Sequence, residues 1–266
     1  MKMIIQNMES QALGRKIRVN VALPEHYNPA QAYPVLYMHD GQNVFDLRHH
    51  RVHDWHVNHI ADNMHLSWII VAVDSPDDSL QRFDLYYPWQ IHNLDTFLPS
   101  KNLEKGLVCG GNAHMYADFF VHELIPKVER EYSVQPLRAL AGSSLGAIAS
   151  MYIANEYPIF NYLGLLSPAI WFDKDRFLSY CHDIDFAGVH VYLSMGTNEN
   201  SDDNIPDFPQ IYITQAQMLM RILQDKTDSL AYHIDEGGTH DGRSWHHSMN
   251  RFIHSYLAHH QLLEQP

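Results

Sequence analysis

Ser144 lies at the centre of Gly142-Ser143-Ser144-Leu145-Gly146, a G-x-S-x-G pattern between the apolar run 137–141 and a helix-like stretch. A turn from strand to helix forces its central residue into strained backbone angles and presents that side chain outward. The flanking glycines let neighbouring backbone pass without a Cβ clash. Moving the frame to Ser143 places Ala141 and Leu145 at the glycine positions and loses this rationale. The plainer reading is a serine capping the helix that follows. The chemistry implied by the sharper reading is nucleophilic attack by the Ser144 hydroxyl.

A serine nucleophile needs a base, and the base needs an acid to orient it. Both are offered further along the chain, each after a strand-like run. Met195-Gly196-Thr197-Asn198-Glu199 leaves one run and supplies Glu199, with Asp202 and Asp203 as alternatives in the same segment. Gly237-Gly238-Thr239-His240 leaves the last run and supplies His240, chosen among 20 histidines by its place. Attack on a carbonyl also needs two N–H donors for the developing oxyanion. The backbone of Leu145, next to the serine, is one. Gln42, in the turn His39-Asp40-Gly41-Gln42 after the run 34–38, is the expected second, though a plain turn is the alternative there.

The elements that must position these residues follow from hydrophobic patterning. Short apolar runs at 34–38, 68–73, 137–141, 162–166, 189–195 and 230–234 each end at turn residues, which suits strands buried on both faces. The segment 16–23 alternates and predicts a strand with one wet face. Helical spacing predicts helices over 118–132 (bent or broken by Pro126), 144–157, 215–224 and 248–263. Strands alternating with helices imply an α/β chain with a mostly parallel central sheet and helices on both faces. No repeat or linker interrupts residues 1–266, so a single domain is expected. The stretches 74–117 and 198–213 read as irregular loops on the substrate side.

Composition bounds the rest. Net charge of −13 argues against a nucleic-acid partner. No apolar stretch approaches the ~18 residues of a membrane span, and the opening MKMIIQNMESQALG lacks a signal-peptide core, so a cytoplasmic location is expected. Cys109 and Cys181 make no disulfide framework. The histidines His49, His50, His53, His56, His59, His246 and His247 raise a metal-dependent hydrolase as a rival, but at these spacings they carry no catalytic signature. No cofactor or metal is expected.

These residues together resemble the putative-esterase family of α/β-hydrolases, which includes feruloyl esterases, enterobactin-type esterases, S-formylglutathione hydrolases and mycolyltransferases. The likeness runs from about Lys16 to Leu257. It is carried by Tyr33 to Asn43, Tyr116 to Pro126, the elbow Ala141 to Ala147, Tyr157 to Trp171, and Gly237 to His240 with Trp245. One departure is Ala147, where many members have a second glycine. The resemblance implies an α/β-hydrolase fold, Ser144 as nucleophile, His240 as base and Glu199 as acid. It implies a serine carboxylic-ester hydrolase acting on a small acyl or aryl ester through an acyl-enzyme. An acyltransferase with the same residues, or a binding protein on the same fold, are the alternatives. Arg82, Tyr87, Trp89 and Trp171 are the expected substrate wall, against the plainer reading that such aromatics are core. Oligomeric state is left open.

Overall fold

The computed structural model describes residues 1–45, 54–92, 94–258 and 260. Its strands are β1 (Lys2–Ser10), β2 (Arg15–Leu23), β3 (Tyr33–Met38), β4 (Ile69–Val73), β5 (Gln90–His92), β6 (Val108–Gly110), β7 (Val134–Ser143), β8 (Tyr162–Leu166), β9 (Phe186–Asn198) and β10 (Thr227–Thr239). Eight of them form one sheet in the order β1-β2-β4-β3-β7-β8-β9-β10, and β5 pairs with β6 in a separate small ribbon. From β4 to β10 every neighbouring pair is parallel, while β1 and β2 add an antiparallel edge.

Every residue of β3, β4 and β8 is buried, as the unbroken apolar runs predict for strands covered on both faces. Side chains alternate between two cores. Val35, Tyr37, Val71, Leu163 and Leu165 join one, with Phe119, Ile148, Met151, Phe177 and Leu219 from the helices on that side. Leu36, Met38, Ile70, Ala72 and Leu166 join the other, with Val57, Ile60, Met249 and Phe252. The two-faced α/β expectation therefore matches the architecture.

The parallel register has one consequence that matters for function. Met38 pairs with Ala141, Gly142 with Leu165, and Leu166 with Ser194. Strands aligned this way end along one edge of the sheet, so the residues just after β3, β7, β8, β9 and β10 gather there. Open parallel sheets place their ligand crevices at this carboxyl edge.

Several elements depart from expectation. β1 is an additional strand whose polar residues interrupt the short apolar run; it pairs with β2 from Lys2–Leu23 to Ser10–Arg15 and keeps a largely exposed face. The helix around Pro126 is longer and unbroken. It runs as Ala113–Asp118, a wider turn over Phe119–Leu124, and then Ile125–Glu131. The wide turn lies just upstream of Pro126, the residue that lacks a ladder N–H, and absorbs its misfit.

The segment 74–117 is not an irregular loop throughout. It holds the helix Ser79–Tyr86, started by the Asp78 carboxylate accepting from Gln81 N at 2.8 Å, and the β5–β6 ribbon. Only Phe83 and Tyr86 of that helix are buried, which left too weak a stripe to read. Within 198–213, a helix begins at Phe208 with Pro209 in its first turn and runs to Leu223. Proline at that place starts a helix rather than ending one. The last helix likewise begins early, at Gly242.

Candidate active site

At the end of β7 the backbone turns sharply. Ser144 has φ 56° and ψ −121°, outside the conformations that ordinary residues favour. Its N–H is held by the Leu166 carbonyl at 2.9 Å, and its carbonyl accepts from Ala147 N at 3.2 Å. A Cβ on Gly142 would lie 2.5 Å from the Gly146 backbone and 2.8 Å from the His39 ring. No larger residue fits there, so the glycine that the sequence pattern requires is a steric necessity.

His240 follows β10 across an irregularity. The β9–β10 register shifts between Asp235 and Thr239, where Gly237 takes φ 74°. Such a bulge re-aims the strand end. Immediately after it, Asp241 caps the helix Gly242–Phe252, accepting from Arg243 N at 3.0 Å and Ser244 N at 3.2 Å. The imidazole then reaches both partners: Nε2 lies 2.9 Å from Ser144 Oγ, and Nδ1 lies 2.6 Å from Glu199 Oε2. Because an ionised carboxylate only accepts, Nδ1 carries the proton and Nε2 is left to accept from the serine. The ring sits between Tyr212 and Trp245, at centroid distances of 5.2 and 5.0 Å.

Glu199 is fully buried. Its other oxygen, Oε1, accepts from Gly196 N at 3.0 Å and from the Ser167 hydroxyl. The rival acids point elsewhere. Asp202 accepts from Ser100 N and Asn204 N at 2.8 and 2.9 Å, and Asp203 from the Asn200 amide at 2.8 Å. Of the three carboxylates, Glu199 is the one brought to His240.

Leu145 opens the helix Leu145–Glu156, and Gln42 lies in the short helix Gly41–Val44. First-turn N–H groups have no partner inside their own helix. The Gln42 side chain is locked to Ser75, donating to Oγ at 2.6 Å and accepting from its N–H at 3.0 Å. Its backbone is thereby held in place. Ser144, Leu145, Gln42 and His240 all line one cavity of about 770 Å³.

The expected substrate wall divides. Trp171 and Arg82 line that cavity, together with Leu80, Phe83 and Phe172. Tyr87 and Trp89 do not. The Tyr87 hydroxyl donates to Asp173 at 3.0 Å, and Trp89 packs on Phe177 and Tyr180. They are carried away from the cavity where the chain leaves its helix and enters β5. Arg82 is committed as well: Nε and Nη2 grip the two oxygens of Asp40 at 2.7 and 2.8 Å. Burial acts to raise the Asp40 carboxyl, but the charge and hydrogen bonds of Arg82 outweigh it and hold the group below the ordinary range.

Sequence reasoning missed His39, read only as part of a turn. Its ring is fully buried against Gly142, with Nδ1 2.9 Å from the Tyr116 hydroxyl and Nε2 3.0 Å from Ser150 Oγ. Ser150 in turn donates to the Gly146 carbonyl at 2.9 Å. The chain is consistent if Tyr116 donates to Nδ1 and the Nε2–H donates to Ser150. Burial pushes the imidazole pKa down to about 3, so it stays neutral beneath the serine turn. Between about 3 and the ordinary 6.5, the unfolded chain binds a proton at His39 that the native state refuses. Stability is therefore expected to fall as pH drops through that window. Thermal melting across pH should show this, with a flatter acid slope for His39→Gln; an unchanged slope would contradict it.

Cys109 and Cys181 are both buried and unpaired with each other. His56 and His59 stack at 5.4 Å, with His246 6.2 Å from His56. Among the described residues no three His, Cys, Asp or Glu side chains are grouped to hold a metal. His49, His50 and His53 lie outside the described residues. No helix among the described residues is long and apolar enough to cross a membrane.

Comparison with known proteins places the chain in a family. Residues 10–255 match the family described as "Putative esterase". The chain belongs to that esterase family. YjcH of Bacillus subtilis (strain 168) is 27% identical to this esterase-family chain over 224 residues, covering 81% of this chain and 83% of YjcH. An IroE-like serine hydrolase from Shewanella oneidensis superposes with a TM-score of 0.74 at 22% identity, over 96% of this chain and 80% of its own. A ferulic acid esterase superposes with a TM-score of 0.67 at 16% identity, over 97% of both chains. At these identities the structural likeness establishes the fold, and it agrees with the α/β-hydrolase expectation.

Proposed function

We propose that this chain is a serine carboxylic-ester hydrolase that works through an acyl-enzyme. The observation that carries the proposal is the unbroken hydrogen-bonded line from Ser144 Oγ through His240 to the buried Glu199 carboxylate.

His240 Nε2 takes the Ser144 proton as Oγ attacks the ester carbonyl carbon, giving a tetrahedral oxyanion. The N–H groups of Leu145 and Gln42 are the assigned donors to that oxygen. His240 then returns the proton to the leaving alkoxide, which departs as the alcohol and leaves the acyl group on Ser144. Water enters, loses a proton to Nε2 and attacks the acyl-enzyme. Collapse breaks the bond to Ser144 Oγ, which takes the proton back from Nε2, and releases the acid. Glu199 holds Nδ1–H and stabilises the imidazolium formed in each half.

The apolar side of the cavity, with Leu80, Phe83, Leu94, Trp171 and Phe172, suits an acyl or aryl group of a small ester. The name of the compared ferulic acid esterase places hydroxycinnamoyl esters among the substrates to try. The test is a panel of short p-nitrophenyl esters, hydroxycinnamoyl esters and thioesters. Hydrolysis of at least one ester is expected, with deacylation-limited substrates giving a burst of about one alcohol per chain. Absence of turnover and burst across the panel would contradict the reading.

A further inference from the structure

The segment Ser167-Pro168-Ala169-Ile170-Trp171 follows β8, and none of it takes a chemical step in the proposed reaction. It sits nevertheless at the same carboxyl edge as Ser144, Glu199 and His240. Ser167 is buried and has φ 46°, one of six non-glycine residues with positive φ among the described residues. Such backbone strain persists where the surroundings over-determine it, and it clusters at functional sites. A position needing only the turn would suit glycine better. The hydroxyl is what glycine lacks.

That hydroxyl has two partners. The Trp245 indole N–H, which can only donate, reaches Ser167 Oγ at 3.1 Å. The serine proton is therefore free for the other partner, Glu199 Oε1. The Ser167 N–H is itself fixed on the Ser194 carbonyl at 2.9 Å. Ser167 thus joins three segments: the end of β8, the acid turn after β9, and the helix that follows His240. Four residues on, the Trp171 indole donates to the Tyr212 hydroxyl at 2.9 Å, and that hydroxyl pairs with Ser201 Oγ at 2.7 Å. The same loop therefore braces the acid segment twice.

We infer that Ser167 is a positioning residue for the acid: its hydroxyl occupies Glu199 Oε1 and so leaves Oε2 aimed at His240 Nδ1. The inference rests on the proposed reading of Ser144, His240 and Glu199. A buried carboxylate needs hydrogen-bond donors, and Glu199 has three: Ser167 O–H, Gly196 N–H and His240 Nδ1–H. Gly196 N–H alone would leave Oε1 weakly held and the carboxylate able to rotate away from the imidazole. Ser167 acts through Glu199 and touches no reacting atom.

Ser167→Gly and Ser167→Ala, assayed beside Ser144→Ala on a p-nitrophenyl ester, separate positioning from folding. Glycine relieves the φ strain while deleting the hydroxyl. Its thermal midpoint is expected to fall only modestly, the relieved strain offsetting part of the lost hydrogen bonds, while kcat falls about ten- to a hundredfold, the scale of one hydrogen bond to a charged group. KM should change little, because the cavity wall is untouched. A folded variant with wild-type kcat, beside an inactive Ser144→Ala, would overturn the inference and leave the serine mechanism standing. Loss of folding in both Ser167 variants would also overturn it, since the role would then be stability. Activity surviving in Ser144→Ala would remove the mechanism itself, and the inference with it.

Discussion

Ser144→Ala is expected to lower kcat/KM for ester hydrolysis by about a thousandfold or more, while Ser143→Ala costs at most a few-fold. The two serines are adjacent and both line the cavity, so sequence proximity does not explain the contrast. Geometry does. Ser144 takes the strained angles of the turn and meets His240 Nε2 at 2.9 Å, whereas Ser143 ends β7 in register with Leu166 and is buried. Removing Ser144 Oγ leaves only the assigned oxyanion donors and substrate binding to accelerate attack by water, which is a residual effect. Because KM reports binding more than attack, the loss should appear mainly in kcat. Steady-state kinetics of the two variants check this. Equal losses at both serines, or retention by Ser144→Ala, would contradict it.

Glu199→Gln is expected to reduce kcat by about a hundred- to ten-thousandfold with the fold intact. The amide has nearly the volume of the carboxylate, so the buried site keeps its packing. Its chemistry changes in two ways. The negative charge that stabilises the imidazolium is lost, and the amide N–H₂ can donate to Nδ1. Donation there drives the proton onto Nε2, the nitrogen that must accept from Ser144. A wild-type rate in Glu199→Gln would sink the assignment. Asp202→Asn and Asp203→Asn should leave kcat near wild type, since both carboxylates are turned to Ser100, Asn200 and Asn204.

Much of this arrangement was legible from local sequence. The runs at 34–38, 68–73 and 162–166 read as buried strands because each is a continuous apolar stretch bounded by turn residues, and the fold keeps each within about a residue of those bounds. The glycine spacing separated Ser144 from Ser143 because the clash at Gly142 is a backbone matter, settled within a few residues. Glu199 stood out from Asp202 only through family resemblance. The choice depends on which side chain the turn after β9 aims back at His240, and that is tertiary.

What could not be read has the same cause. His39, Tyr116 and Ser167 lie in family-like stretches, but nothing local marks their roles, because their partners are 32 residues away along the chain for Ser167–Glu199 and 77 for His39–Tyr116. Arg82 was legible as a residue near the cavity but not as the partner of Asp40, 42 positions earlier. Tyr87 and Trp89 were expected on the wall because aromatics clustered after a strand. The helix Ser79–Tyr86, unread in the sequence, sets the direction in which they leave the cavity.

The central claim, that Ser144 is the group that bonds to substrate, is tested most directly by covalent labelling with a fluorophosphonate and mapping of the modified peptide by mass spectrometry. A single adduct on Ser144 is predicted, formed in Ser143→Ala and absent in Ser144→Ala and in native protein pre-saturated with a slowly deacylating ester. An adduct on Ser143 or elsewhere, or ester turnover by a protein that the probe neither labels nor inhibits, would contradict the account.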